Sequence, residues 1–142
     1  MKTDRRGFLT GMISAGAAPL LFSGCARGFL ACRKINIGVI GYGRIAHTMD
    51  VPGVQQFTER CVVTAVADYD TTRAEYGKKV IEERYAKQGI VQVVKTYQHY
   101  EEMLADPSID AVLLCIPDHQ HAIVATKCLL AGKHIYLQKQ FA

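Results

Sequence analysis

Most of the sequence lacks an excess of charge of either sign. The whole chain has 17 basic and 13 acidic residues, which gives a net charge of +4. Residues 1–33 hold five of the basic residues and one of the acidic residues, so 12 of each remain from Lys34 onward. A neutral domain offers no electrostatic basis for binding nucleic acid. The sequence therefore predicts no nucleic-acid partner.

The chain also lacks the residue spacings of a metal site. Its five cysteines, at positions 25, 32, 61, 115 and 128, match neither a zinc pattern nor a C-x-x-C motif. His119 and His121 are two residues apart, so they would not share a helix face, and no third ligand lies at a suitable spacing. We therefore predict no metal, and we interpret Cys61, Cys115 and Cys128 as small buried hydrophobic residues.

The leader, residues 1–33, has an apolar stretch that several glycines and one proline interrupt, which makes it a poor spanning helix. A basic start, a Gly/Ala-rich apolar stretch and small residues near its end are typical of an export signal. The segment RRGFL, which contains Arg5 and Arg6, resembles a twin-arginine signal and implies export of a folded protein to the periplasm by that machinery. The segment SGC resembles a lipoprotein processing site, although Phe22 departs from it. Lipid attachment at Cys25 and simple cleavage near it stay open as alternatives.

From Lys34 onward, short apolar runs alternate with segments of helical pattern. Helices are expected to start at Arg44, to be ended or kinked by Pro52; at the capping box TRAE, residues 72–75; over residues 97–105; and over residues 118–131, capped by Gly132. Strands that are apolar throughout are typical of a parallel sheet buried on both faces, so residues 34–142 are predicted to form an α/β, Rossmann-type doubly wound sheet. The predicted strands are residues 35–40, 62–67, 91–94, 111–116 and 134–137.

A glycine turn, GYGRIA, follows the first predicted strand and opens a helix, which is the context that dinucleotide binding requires. The first glycine would allow the tight turn, the second would let the backbone approach a pyrophosphate, and the alanine would allow close helix–strand packing. The helix N-terminus supplies free N–H groups and a positive dipole end. The alternative is a tight turn without a ligand. The predicted cofactor contacts in this turn are Gly41, Gly43, Arg44, Ile45 and Ala46.

Asp68 ends the second predicted strand, where a carboxylate accepts hydrogen bonds from both ribose hydroxyls and repels a 2′-phosphate. This position favours NAD as the cofactor, while Arg73, a few residues later, keeps NADP open. The alternative for Asp68 is a turn-forming acid before Asp70-Thr71. We predict that Asp68 and Arg73 are cofactor-binding residues.

Several further motifs follow in order over residues 34–141: GVIGYGRIAH, VADYD, EEML, DAVLLCIPDHQH and AGKHIYLQKQ. Together they resemble the N-terminal domain of the Gfo/Idh/MocA oxidoreductases. The resemblance implies an NAD(P)-dependent enzyme acting on sugars, cyclitols or related alcohols, with a following α/β domain that holds the substrate. It also implies that Ile116, Pro117, His119 and His121 border the cofactor after the fourth strand.

The end of the last predicted strand matches the family's EKP motif with two departures. Lys139 matches the lysine, which implies a catalytic ammonium beside the nicotinamide and the substrate hydroxyl. Gln138 replaces the glutamate, so it keeps hydrogen bonding but loses the charge, and it is counted among the cofactor-binding residues. Gln140 replaces the proline, which makes a cis bond costly and leaves the placement of Lys139 less fixed.

The sequence stops at Ala142, shortly after this motif. Because the resemblance implies a substrate domain with further catalytic residues, we expect a truncated chain that is inactive alone, and homo-oligomerisation stays open for the full-length protein. Two alternatives to an exported oxidoreductase remain. One is a glycoside hydrolase of the same fold that uses bound NAD in a transient oxidation. The other is a nucleotide-binding module without catalysis.

Overall fold

A computed structural model describes residues 33–137 of the chain, and these residues form alternating strands and helices. They lie almost wholly within the second of two units into which the chain divides, Met1–Arg33 and Lys34–Ala142. The elements in chain order are β1 Ile35–Ile40, a π-helical turn Ala46–Asp50, α1 Val51–Val54, β2 Cys61–Ala67, α2 Thr71–Lys87, β3 Lys95–Tyr97, α3 Tyr100–Ala105, β4 Ala111–Leu114, a 3₁₀ turn Asp118–Gln120, α4 His121–Leu130 and β5 His134–Leu137.

The five described strands form one parallel sheet in the order β3-β2-β1-β4-β5. The chain builds outward from β1 to β3, then crosses back to place β4 on the other side of β1. This reversal lies between β1 and β4, and ligands of such sheets bind outside the carboxyl ends of the strands at that point. The predicted doubly wound α/β fold is confirmed.

Helices cover both faces of the sheet, and neighbouring residues of one strand pack into different layers. Ile40 and Leu114 pack with α3 and α4, whereas Val39 and Leu113 pack with α1 and α2 on the opposite face. Each fully buried aliphatic side chain contributes about 1.5–3 kcal/mol to folding. The apolar strands predicted from the sequence are therefore buried from both sides, as a parallel sheet requires.

The predicted strand over residues 91–94 is wrong. Val91 is 97% exposed and Val93 is 71% exposed, while the third strand is β3, which pairs with the last residues of β2. Val94 is buried, but its N–H group donates to Glu82 Oε1 (2.9 Å) and not to a neighbouring strand. The apolar run thus has strand-like composition without a pairing partner, and composition alone does not form a strand.

The predicted capping box at residues 72–75 is also wrong, because α2 begins one residue earlier. Asp70 is the N-cap, and its Oδ1 accepts from the N–H groups of Thr72 (3.0 Å) and Arg73 (3.4 Å). Glu75 accepts a hydrogen bond from the Thr96 hydroxyl (2.6 Å) and so serves a contact to β3. An aspartate at the N-cap already satisfies the free amides of the first turn.

Other boundaries differ by a few residues. The third predicted helix begins at Tyr100 because residues 95–97 form β3, and β4 ends at Leu114. The last predicted helix starts as a 3₁₀ turn before α4. Gly132 follows α4 with φ +71°, and the N–H groups of Gly132 and Lys133 donate to Leu129 and Cys128 carbonyls, so the predicted glycine cap is confirmed.

Pro52 does not end the first helix but is accommodated by the π-helical turn before it. The Val51 N–H group donates to the Ala46 carbonyl, five residues back, and the chain stays helical to Val54. Because proline has no N–H group, the His47 carbonyl has no helical donor and instead accepts from Arg84 Nη2 of α2 (3.0 Å). The arginine thereby ties this helix to α2.

Candidate functional site

A cleft of about 540 Å³ opens at the carboxyl ends of β1, β2 and β4, where the strand order reverses. It is bounded by the glycine turn after β1, the start of α2, and the segment between β4 and α4. Most of the cofactor-binding residues predicted from the sequence line it: Gly41, Gly43, Arg44, Ile45, Asp68, Arg73, Ile116, Pro117 and His121. Their roles toward a cofactor stay predictions, but the fold brings them together.

Two glycines shape the turn in different ways. Gly41 has φ +83°, and a Cβ atom there would lie 2.6 Å from the Cys115 carbonyl oxygen, so both the backbone and the space require glycine. A Cβ atom on Gly43 would meet nothing within 4 Å, so the backbone beside it faces open space. This opening is what a close approach of a pyrophosphate needs, and the turn therefore fits a dinucleotide.

Ala46, the third small residue of the motif, does not line the cleft. It is fully buried in the layer that packs α1 and α2 on the sheet. That is the packing position which the motif assigns to its third residue. Ala46 therefore lies behind the turn and lets the helix approach the strand.

Asp68 connects the glycine turn to the end of β2. Its Oδ2 accepts from the Tyr42 N–H group (2.8 Å), and its Oδ1 accepts from the Asp70 N–H group (2.9 Å). A carboxylate has about four acceptor positions, so two backbone bonds leave room for ribose hydroxyls. The two bonds fix the carboxylate at the cleft wall. The sequence placed Asp68 at the site but did not predict its bond to Tyr42.

Arg73 lines the same part of the cleft and is engaged with a neighbour. Its Nε lies 3.4 Å from Asp70 Oδ2, and both side chains are exposed. An exposed ion pair of this kind contributes about 0–1 kcal/mol. The guanidinium can therefore leave Asp70 for an anionic ligand at little cost.

Tyr42 packs the turn against the middle of α2, a contact that the sequence analysis missed. The ring is buried, and a Cβ atom on Gly77 would lie 2.7 Å from its Cγ. Burial raises the pKa of the Tyr42 phenol, and Tyr76 also raises it, while Arg84 acts in the opposite direction. A signal was present in the sequence, because a glycine inside a helical pattern costs about 1 kcal/mol and often has a packing reason.

The wall after β4 contains Cys115, Ile116 and His121. The Cys115 thiol donates to Asp50 Oδ2 (3.2 Å), and burial, followed by this hydrogen bond and the nearby charge, strongly raises its pKa. The thiol therefore stays protonated at neutral pH and is a poor nucleophile. His121 is 4% exposed and its Nε2 lies 2.9 Å from the Ile116 carbonyl, so we assign the ring proton to Nε2. His119 is exposed and lies outside the cleft lining.

Three residues that line the cleft were not among the predicted ones: Tyr69, Gln98 and Tyr100. All three follow the carboxyl ends of β2 or β3. A signal existed for Tyr69, because it directly follows the acid at the end of the second strand.

Some predicted features lie outside the described residues. These are Gln138, Lys139 and Gln140 at the end of the last strand, and the leader with its arginine pair and Cys25. Within residues 33–137, no group of three or more metal-ligating side chains comes together, the three cysteines are free, and no helix has the length and apolarity to cross a membrane.

Residues 35–141 match the Gfo/Idh/MocA family, described as an oxidoreductase family with an NAD-binding Rossmann fold. The chain belongs to the Gfo/Idh/MocA family. The described residues are therefore an NAD(P)-binding Rossmann domain, and the cleft at the strand reversal is its cofactor site.

Three similar proteins illustrate this Gfo/Idh/MocA membership. Myo-inositol 2-dehydrogenase of Thermotoga maritima is 30% identical over 105 residues, covering 74% of this chain and 28% of the relative. A glycosyl hydrolase family 109 protein of Shewanella amazonensis is 27% identical over 158 residues, covering 95% of this chain and 33% of the relative. The 3-ketoreductase KijD10 of Actinomadura kijaniata, solved with NADP and TDP-benzene, has a TM-score of 0.59 and 25% identity over 78% of this chain and 30% of that one. The chain thus spans about three tenths of the length of its relatives.

Proposed function

We propose that this chain supplies the cofactor-binding part of an exported oxidoreductase that prefers NAD and transfers hydride between nicotinamide and a hydroxyl of a sugar or cyclitol. The observation that carries the cofactor preference is the fixed carboxylate of Asp68. Two backbone N–H groups hold it at the cleft wall, so it cannot turn away from a ligand. A negative charge held there accepts ribose hydroxyls and disfavours a 2′-phosphate.

The other residues of the site have separate tasks in this proposal. The open backbone at Gly43 and the N–H groups that follow it receive the pyrophosphate. Ile116 and Pro117 form an apolar wall that excludes water. The nicotinamide ring, when bound, supplies the chemistry of accepting or giving a hydride. Lys139 would hold a proton at Nζ beside the reacting oxygen, to polarise a carbonyl or relay the proton of a hydroxyl.

The substrate class is inferred from the relatives. One is named a myo-inositol 2-dehydrogenase and another is a 3-ketoreductase bound to a TDP ligand, so both names point to polyhydroxylated ring compounds. The residues that would select a substrate belong to a following domain. The sequence up to Leu137 therefore supports the class and not one compound.

Export is inferred from the leader. Arg5 and Arg6, the apolar stretch and the small residues before Cys25 support a twin-arginine route to the periplasm, with a lipid anchor at Cys25 as the variant. A reporter fused behind residues 1–33 tests this inference. Changing Arg5 and Arg6 to lysine should abolish export of a folded reporter, and unchanged export would contradict the twin-arginine route.

A second candidate is an NAD-dependent glycoside hydrolase, and one observation favours it. The similarity to the glycosyl hydrolase family 109 protein covers 95% of this chain, so it extends through most of the leader as well as the Rossmann domain. A transient oxidation returns the hydride to the sugar, so NAD is not consumed. A protein that joins this chain to a substrate domain would then cleave a glycoside without net NADH release, and steady NADH release would contradict the candidate.

Cofactor binding is tested by titrating the chain with NAD and with NADP in a calorimeter. We expect tighter binding of NAD, and Asp68→Asn should narrow the ratio of the two affinities about tenfold, because a hydrogen bond to a charged group is worth about 1.5–3 kcal/mol. Asparagine keeps an oxygen for the Tyr42 N–H group, so it removes the charge with the least disturbance. Glu83→Gln, on an exposed part of α2 away from the cleft, is the control and should change neither affinity. Equal binding of both cofactors before substitution would contradict the NAD preference.

A further inference from the structure

Tyr69 places an aromatic ring in the cleft directly after Asp68. The side chain is 61% exposed although it is large and apolar over most of its surface. It lines the cleft together with Gln98 and Tyr100, at the end where β2 and β3 finish. An exposed tyrosine ring at the mouth of a cleft, on the side of the ribose-binding acid, is positioned to contact a ligand.

Neighbouring rings hold Tyr69 by contacts that leave most of it accessible. Its ring makes edge-to-face contacts with His99 (centroids 5.8 Å apart, planes at 73°) and with Tyr100 (6.4 Å, 89°). Tyr100 is itself buried, and its hydroxyl accepts from Lys127 Nζ (3.0 Å), which also pairs with Glu101 (2.8 Å). The support is therefore anchored to two helices. Because the ring is largely exposed and held in place, a ligand meets it with little ordering left to do.

We propose that Tyr69 is the surface on which the adenine ring of the dinucleotide stacks, an inference that rests on the cofactor site proposed above. Adenine is bonded to the same ribose that Asp68 would hold, so it must lie next to that carboxylate. The residue that follows Asp68 in the chain is the exposed aromatic ring. Arg73, the other planar group nearby, is paired with Asp70. Ile116 on the opposite wall is apolar, so a flat heterocycle would have an aromatic surface on one side and an aliphatic one on the other.

Stacking of a base on an aromatic side chain is worth a measurable factor in affinity. Alanine substitutions at such positions weaken binding about 5- to 100-fold. The effect belongs to the adenine half of the ligand, so NAD and NADP should lose the same factor. This separates Tyr69 from Asp68, whose substitution changes the ratio between the two cofactors.

The test titrates the full chain with ADP and with nicotinamide mononucleotide, which contains no adenine. Tyr69→Ala should weaken ADP, NAD and NADP about 5- to 100-fold and leave nicotinamide mononucleotide unchanged, while Tyr69→Phe should bind ADP like the unsubstituted chain. Tyr136→Ala is the matched control, because Tyr136 is 59% exposed and lies on β5 outside this cleft. Unchanged ADP affinity in Tyr69→Ala, or an equal loss for nicotinamide mononucleotide, would overturn the assignment.

A second measurement does not depend on the alanine variant. The chain contains no tryptophan, so Tyr69→Trp introduces a single indole whose fluorescence reports on its own surroundings. ADP should quench this fluorescence and nicotinamide mononucleotide should not. Quenching by neither, with ADP shown to bind by calorimetry, would overturn the role of Tyr69 alone. If the unsubstituted chain binds neither ADP nor NAD, the proposed cofactor site and this inference both fail.

Discussion

Replacing Gly77 by alanine sets two effects of similar size against each other. Alanine in a helix interior is favoured over glycine by about 1 kcal/mol. The new Cβ atom, however, would lie 2.7–2.9 Å from three atoms of the Tyr42 ring, and these are the ring atoms nearest the backbone. The ring is buried and cannot move without moving the glycine turn. Overpacking of this kind costs about 1–3 kcal/mol, so we expect Gly77→Ala to lower the free energy of unfolding by about 1 kcal/mol.

A second helical glycine provides the matched control. Gly53 lies in α1, and a Cβ atom there would meet nothing within 4 Å. Gly53→Ala should therefore raise the free energy of unfolding by about 0.5–1 kcal/mol, the helix preference alone. The two Gly→Ala substitutions are expected to have opposite signs in urea unfolding, monitored by circular dichroism.

The clash is isolated by combining Gly77→Ala with Tyr42→Ala. Once the ring is gone, Gly77→Ala should stabilise the chain by about 1 kcal/mol, so its effect changes sign between the two backgrounds. If Gly77→Ala instead stabilises the unsubstituted chain as much as Gly53→Ala does, the close packing of Tyr42 on α2 does not constrain the glycine turn.

Two further predictions concern the loop before β4. Lys133 is buried and its Nζ donates to the carbonyls of Asp106 (2.7 Å) and Ile109 (2.9 Å), so Lys133→Met should cost about 2–3 kcal/mol in urea unfolding. The exposed Lys127→Met should cost about 0–1 kcal/mol, and an equal cost for both would refute the capping role. Hydrogen bonds, first from Lys95 and then from Ser108, hold the pKa of Asp106 well below its ordinary value. A lowered folded-state pKa gives stability that is present above the unfolded pKa and is lost as the pH falls below about 4. Unfolding free energies measured from pH 6 to pH 2 should therefore fall more steeply for the unsubstituted chain than for Asp106→Asn, and parallel profiles would contradict this.

The sequence predicted the elements whose local pattern and tertiary partners agree. β1 and β5 have the predicted bounds, because each apolar run lies beside a neighbouring strand over its whole length. Residues 91–94 have the same composition, yet the end of β2 offers pairing positions only to residues 95–97. Which apolar run pairs depends on the register of a strand nearly 30 residues earlier. No local pattern contains that information.

The site shows the same division. The turn motif and the acid at the end of β2 could be found from the sequence because their spacing along the chain is part of the mechanism. The hydrogen bond from Tyr42 to Asp68 and the packing of Tyr42 on Gly77 join residues 26 and 35 positions apart, and they arise only when β1, β2 and α2 are assembled. Tyr69 was overlooked because an aromatic residue after a strand is ordinary in a sequence. Its exposure becomes informative only in the cleft.

The bond between Asp68 and the Tyr42 backbone has a practical consequence for redesigning cofactor preference. Exchanging this acid for a small residue to admit a phosphorylated ribose would also strip the turn of its anchor, so phosphate affinity and ribose selectivity would change together. A replacement that retains a short side-chain oxygen, such as serine or asparagine, would keep the amide satisfied. Engineering at this position should therefore begin from the needs of the loop, and only then address the sugar.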